Sequence, residues 1–277
     1  MTAKLRAFAK RILPASIARA IAKPVWERIK RRQDKAAFRA NYPTVPYIYF
    51  RPGEIDAIRA KGYYGQIAQD YFIDLLFDKT DGRFLDIGAN NPEANSNTFA
   101  LEQKGWTGFA FDPMRSLAER WAGRKGTTFV NAGISDRAEV RRFVEVIPNV
   151  GWEHQLSSFR EFMRAEDLKL YEHIEYDVEC APISSFLTEN EVFDFVSIDV
   201  EGAEGLILKG MDFDTAPPRA ILLENVSEIG GSNEHRRFLE GKGYMLIARI
   251  HASDDLFVQR GDNASQKALN AFYRYDR

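Results

Sequence analysis

The sequence predicts an α/β fold: a mostly parallel sheet with helices on both faces, carrying a basic amphipathic helical arm at its N-terminus. Three observations predict it. Short runs of β-branched and aromatic residues alternate with helix-length segments from about residue 63 onward. The last two strand-like runs lie close together, as an antiparallel hairpin at a sheet edge would. The charge is also divided. Residues 1–40 hold twelve Lys or Arg against two acids, leaving 26 basic and 38 acidic residues in the remainder. A basic arm of +10 precedes an acidic body of −12.

Composition narrows the classes. The 277 residues are 45% hydrophobic and 13% aromatic, enough for a packed core, which excludes general disorder. No run reaches the roughly 18 apolar residues of a membrane-spanning helix. The one cysteine, Cys180, excludes an internal disulfide framework and cysteine-rich metal sites. A nucleic-acid reader carries its positive charge on the folded domain, and this body is acidic, so nucleic acid is not an expected partner.

In chain order, Leu5, Phe8, Ile12, Leu13, Ile17, Ile21, Val25 and Ile29 recur mostly at helical spacing. Pro14 and Pro24 are expected to break or kink this helix, with Ser16 capping the segment after Pro14. Two readings of residues 1–40 stand level. The arm lies on an anionic membrane surface, or it packs on the body or on a partner subunit. The expected location is cytoplasmic, with peripheral contact at the inner face of the membrane on the first reading. Residues 41–62 begin with three prolines in NYPTVPYIYFRPG and read as a linker or strap, and the domain is expected to span 63–277.

Ile67, Tyr71, Leu75 and Leu76 predict a helix over 65–78. The run Arg83–Ile87 is a short buried strand, followed by a helix at about 96–104 and a strand at Thr107–Phe111. A helix over 114–121 and a strand at Thr127–Val130 come next. Strand-like runs at Val140–Ile147 and Ile174–Cys180 follow. Phe193–Ile198 is strongly strand-like and leads to a helix over 203–209. The chain closes with a strand at Arg219–Leu223, a helix over 233–241 and strands near 244–250 and 255–259.

Ligands of such sheets bind beyond the carboxyl ends of the strands. The first strand ends in Asp86-Ile87-Gly88-Ala89-Asn90-Asn91-Pro92, where Gly88 permits close approach and Asp86 can take a ligand ammonium. The second ends in Asp112, 26 residues after Asp86, placed for both hydroxyls of a ribose. The loop has one glycine and carries Glu93, which is hostile to phosphate, so neither G-x-G-x-x-G nor a P-loop is present. An acidic, amide-rich site suits S-adenosylmethionine, which has an ammonium and a sulfonium and no phosphate.

Three stretches carry a resemblance: F-L-D-I-G-A-N-N-P-x-x-x-S-N-T from Phe84, G-W-x-G-F-x-F-D-P from Gly105, and D-F-V-S-I-D-V-E-G-A-E-x-x-I-L-K-G from Asp194. Over roughly 63–250 the sequence resembles the FkbM family of S-adenosylmethionine-dependent methyltransferases. The resemblance implies a class I methyltransferase (Rossmann-like) fold with a seven-stranded sheet. It implies O-methylation of a sugar, glycan or secondary-metabolite hydroxyl. Asp86, Gly88 and Asn90 match the family's first cofactor loop, and Asp112 its ribose acid, which is more often Glu. Pro92 stands where many members have a second Gly. Asn131–Asp136 occupies the place of the adenine turn, with Asp136 or the adjacent backbone facing the adenine amine.

Methyl transfer needs an aligned hydroxyl and a destination for its proton. Two arrangements fit. Glu201 or Asp199 of Asp199-Val-Glu-Gly-Ala-Glu204 is a general base, or His154 approaches from Gly151–Gln155. Alternatively Asp199, Glu224 and Asn225 hold Mg2+ or Mn2+ and lower the hydroxyl pKa. Glu204 reads equally well as a helix cap. Ser157 and Ser158 are candidates for a cofactor or acceptor contact, and Trp152 for a sugar contact. Trp106 and Trp121 are expected in the core. His173, His235 and His251 are expected in exposed, structural positions. A non-catalytic nucleoside-binding module recruited to membranes by the arm is the competing class.

Overall fold

The computed structural model describes residues 15–148, 153–188, 191–226, 228–262 and 266–277, with side chains from residue 28 except at 153 and 266. A long helix α1 (Ala15–Asn41) leads into a two-residue strand β1 (Tyr47–Ile48) and helices α2 (Glu54–Arg59) and α3 (Gln69–Phe77). The alternating part follows: β2 (Arg83–Ile87), α4 (Phe99–Gln103), β3 (Thr107–Phe111) and β4 (Thr127–Val130). Then come β5 (Gly133–Ile134), β6 (Glu139–Val146), β7 (Ser158–Phe159), α5 (Ala165–Leu170) and β8 (His173–Ala181). The main sheet resumes with β9 (Phe195–Ile198), α6 (Glu204–Gly210), β10 (Ala220–Glu224), α7 (Asn233–Gly241), β11 (Tyr244–Ile250), β12 (Asp254–Gln259) and α8 (Gln266–Arg274).

The main sheet has eight strands in the order β1-β11-β12-β10-β9-β2-β3-β4. Strand β12 runs antiparallel to both β10 and β11, and the remaining neighbours pair in parallel. The order turns at β2–β9, the switch point where ligands of such sheets lie. Strands β2, β9 and β10 are buried on both faces, because a sheet covered on two sides exposes none of its side chains. One apolar cluster around Phe72, Trp106, Leu222 and Phe272 fills one face, and a second around Phe38, Ile87, Ile198 and Tyr244 fills the other.

Several expectations are corrected. The sheet has eight strands and not seven, because Tyr47–Ile48 of the strap pairs with Arg249–Ile250. Residues 41–62 also contain helix α2, so the strap is ordered structure. The helix expected over 114–121 is two single 3-10 turns, Arg115–Leu117 and Arg120–Gly123. The strand-like runs near 140–147 and 174–180 do not join the main sheet. They form β6 and β8 of a separate four-stranded sheet, ordered β5-β8-β6-β7, inserted between β4 and β9. Helix α1 continues through Pro24, and Ser16 lies inside it. Helix α8 was not anticipated.

The arm and the body are joined within residues 28–41. Asp34 is buried and paired with the fully buried Arg249 at 3.0 Å. It also accepts from the Tyr47 hydroxyl (2.9 Å) and the Gly230 amide (2.7 Å). Arg249 reaches Asp255, which Arg236 also holds at 2.8 Å. Phe38 is fully buried, 5.0 Å from the Arg236 guanidinium. Residues 28–40 of the arm thus contribute core residues to the body. Among the described residues no helix is long and apolar enough to cross a membrane.

Candidate active site

A cavity of about 350 Å³ opens at the carboxyl ends of β2, β3, β9 and β10, and the small sheet walls it with Phe143 and Phe159. Its geometry begins with Gly88, at φ +80°. A Cβ built there would lie 1.7 Å from the Asp199 carbonyl oxygen, so only glycine lets the β2 loop pass so close to the end of β9. Asp86 is buried and accepts from Thr98 Oγ1 at 2.8 Å; burial pushes its carboxyl up. Asp112 closes β3. One of its oxygens takes the Met114 amide at 2.8 Å and the other the Asn90 amide at 2.9 Å. Burial still wins over these bonds and raises its pKa to about 6. Asn90, at φ +47°, is held from behind by Trp121, whose indole nitrogen donates to its carbonyl at 2.9 Å.

Two amides line this wall with orphan acceptors. Asn90 Oδ1 and Asn97 Oδ1 are buried without a partner, and Asn97 Nδ2 donates to Ser197 at 3.1 Å. Such groups cost free energy unless a donor arrives. A ligand bearing hydroxyls or an ammonium supplies one.

The opposite wall is acidic. Ligand oxygens of Asp199, Glu201 and Glu224 lie within 4.8 Å of one another. Glu224 sits opposite Asp254 across the β10–β12 pair, so a fourth acid adjoins the group. Burial, then the charge of Glu201, drives Asp199 well above the usual carboxylate range. Burial and the Asp199 charge push Glu224 up to about 11, and the two share a hydrogen bond. Burial and Glu204 raise Glu201 to about 7. Arg164 opposes the rise at Glu201, whereas the leading influences on Asp199 and Glu224 are burial and neighbouring carboxyls.

The local fold holds this arrangement. Glu201 is at φ +51°, a conformation costing roughly 1–3 kcal/mol for such a residue. Ser158 Oγ donates to its carbonyl at 2.9 Å, and Glu204 accepts from the Gly202 amide at 3.0 Å. Glu204 is therefore the helix-starting brace of the loop, and Glu201 is the one turned to the cavity.

Other expected residues lie elsewhere. Asn225 is buried and turned away, bonded to Asp255 at 2.7 Å and to Ser232, so Glu201 takes its place beside Asp199 and Glu224. The cause is the backbone: Asn225 follows β10 on its other face, next to the Arg236–Asp255 pair. Asp136 does not line the cavity; it faces Ser135 and Arg137, and Ala132, Gly133 and Ile134 occupy the wall instead. His154 is not among the lining residues, whereas Gln155, Leu156 and Ser157 are. Trp152 lies outside the described residues. His251 is largely buried, stacked on Tyr49 at 4.2 Å with its pKa lowered to about 4 by burial, and is not a surface histidine.

Sequence reasoning missed Gln66, Gln69, Asn97 and Asp254. Gln69 donates to Asp254 at 2.8 Å, and Gln66 reaches Gln155 at 3.4 Å across the cavity. Asp254-Asp255 at the start of a buried strand was a readable signal, since charges there need partners.

Comparison with curated proteins finds no match. Among solved structures, the chain is similar to a TehB-like SAM-dependent methyltransferase from Corynebacterium glutamicum. The two share 10% identity over 74% of this chain and 94% of that one, with a TM-score of 0.39. The profile of the methyltransferase FkbM domain matches residues 86–246, from the first acid of the cavity to β11 and more than half of the sequence. The chain belongs to the FkbM methyltransferase family.

Proposed function

We propose that the protein is an S-adenosylmethionine-dependent O-methyltransferase acting on a hydroxyl of a sugar, glycan or secondary metabolite. The observation that carries the reading is the cavity's asymmetry. Unpaired amide acceptors and two strand-end acids stand on one side, and the clustered carboxyls of Asp199, Glu201 and Glu224 on the other. The donor brings an electrophilic methyl group on a cationic sulfonium. Asp112 takes the ribose hydroxyls through its remaining lone pairs. Asp86 and Asn97, on the Gly88 side, receive the ammonium. The backbone of Ala132–Ile134, and not Asp136, faces the adenine.

Glu201 is the proposed general base. Asp199 and Glu224 share a proton, so neither is fully available, whereas Glu201 titrates near neutrality. As the acceptor oxygen bonds to the methyl carbon, the carbon–sulfur bond breaks. The hydroxyl proton passes to Glu201, and the donor leaves as a neutral thioether.

A second reading rests on one observation, the mutual proximity of Asp199, Glu201 and Glu224. They would hold Mg2+ or Mn2+ through oxygen, with the acceptor hydroxyl as a further ligand. Titration calorimetry with S-adenosylmethionine, followed by mass-shift screening of glycans and secondary metabolites, tests the main reading. Absence of donor binding rejects it. Full turnover in excess chelator rejects the metal and leaves Glu201 as base. Donor binding with no transfer to any acceptor favours the non-catalytic module.

A further inference from the structure

Helix α1 has two unlike halves. From Arg31 onward it is tied to the body. The Arg31 guanidinium lies 4.2 Å from the Tyr49 ring, Asp34 holds Arg249, and Phe38 packs beside Arg236. Just past the helix, the Tyr42 hydroxyl donates to Glu240 at 3.0 Å.

These contacts also give its direction. Tyr49 stacks on His251, immediately after the carboxyl end of β11, whereas Glu240 lies near the end of α7, before β11 begins. Strands β10 and β11 both run antiparallel to β12, so their carboxyl ends lie together. Helix α1 therefore runs from the cavity end of the sheet toward the other end. Residues ahead of Arg31 leave the body beside the end at which the cavity opens. At about 1.5 Å per residue, the stretch from Ala15 to Lys30 is roughly 24 Å long.

The sequence of that stretch carries a pattern of its own. At about 3.6 residues per turn, Ile17, Ala18, Ile21, Ala22, Val25 and Trp26 fall on one side, which Arg28 ends, and Ser16, Arg19, Lys23 and Glu27 on the other. Continued along the same helix, the body-facing positions Asp34 and Phe38 fall on the polar side. By its positions in the sequence the apolar stripe is therefore not an extension of the packed face.

We propose that residues 15–29 form an interfacial helix that docks the protein on an anionic lipid bilayer. The apolar stripe enters the boundary of the acyl chains. Arg19 and Lys23 lie at headgroup level, and Trp26 sits at the edge of the stripe, where an amphipathic ring is favoured. The body lies on the other side of the helix, so docking leaves the Asp34 and Phe38 contacts intact. Charge complementarity selects the partner. Residues 1–40 carry +10 and are drawn to an anionic surface, while the body at −12 is repelled by it, which confines contact to the arm. The proposal is independent of the methyl-donor reading.

The test uses the full chain and co-sedimentation with vesicles of phosphatidylglycerol and phosphatidylcholine, or of phosphatidylcholine alone, at low and raised salt. Binding is expected to the anionic vesicles, at least tenfold weaker to the zwitterionic ones, and weakened by salt. Arg19→Glu with Lys23→Glu, and separately Ile21→Asp, are expected to weaken it at least tenfold, with far-UV circular dichroism and Tm unchanged. Should either variant lower Tm, Arg19→Gln with Lys23→Gln takes its place. Sedimentation of the variants equal to wild type, or none of the wild type, overturns the proposal. So does a concentration-dependent dimer that the charge reversal abolishes in the absence of vesicle binding, since the arm would then seat on the acidic body of a second copy.

Discussion

Asp112 shows how a single carboxylate can be committed twice. Both of its oxygens already hold backbone amides, which fixes the β2 and β3 loops relative to each other before any ligand arrives. Asp112→Ala is expected to weaken S-adenosylmethionine binding at least tenfold, about 1.4 kcal/mol, in calorimetric titration. Unchanged affinity would remove Asp112 from the ribose site. Glu201 gives a prediction in pH. Its pKa is raised from 4.5 to about 7 in the folded chain, so the folded state holds a proton that the unfolded state releases. That stability is fully present below about pH 4.5 and is lost as pH rises through about 7. Glu201→Gln should therefore raise the Tm of the ligand-free protein at pH 8 and leave it nearly unchanged at pH 4. It should also remove the limb near pH 7 from the rate profile. A Tm gain equal at both pH values would show that Glu201 does not titrate in this range.

Between elements, the contact of the β2 loop with the end of β9 is the tightest constraint on the site. Gly88→Ala places a methyl group against the Asp199 carbonyl at a positive φ, and a loss of roughly 2–3 kcal/mol or more is expected in denaturant melts. A loss below about 1 kcal/mol would mean that the loop can retreat. The elements of the parallel sheet were legible because buried strands such as Phe195–Ile198 and Ala220–Glu224 are apolar apart from Ser197 and run into the acids Asp199 and Glu224. The small sheet was not legible. Strand β6 is only half buried over its first residues, and its partner β8 lies across residues 147–172, so no local pattern gives their pairing. Asp86, Gly88, Asn90, Asp112, Asp199, Glu201 and Glu224 were all read from strand ends and all line the cavity. Asn225, Asp136 and His154 do not line the cavity, because adjacency in sequence does not say to which side a loop residue turns. Asp254 was missed because its strand runs the opposite way and brings its first residue, not its last, to the site.

Across the whole molecule, the chain ends are fastened to each other. Arg39 and the Tyr47 amide both hold Asp276, and Asp34 holds Arg249. Asp34→Ala leaves Arg249 with less of its compensation at a fully buried site and is expected to cost about 3–5 kcal/mol of stability in equilibrium unfolding. Removing residues 1–40 should have an effect at least as large, whereas removing residues 1–27 should leave Tm within a few degrees. Equal melting of the two truncations would show that Asp34 contributes nothing.

The Asp34–Arg249 pair also has a history in time. Its two members are separated by 215 residues, so the aspartate leaves the ribosome well before its arginine. At about 5–20 residues per second, roughly 10–40 s pass between the appearance of the aspartate and that of its arginine. Throughout that interval β1 also lacks β11, the strand it pairs with. The nascent arm therefore waits, charged and amphipathic, while the catalytic body is still being made, and whatever surface it meets first meets it unattached.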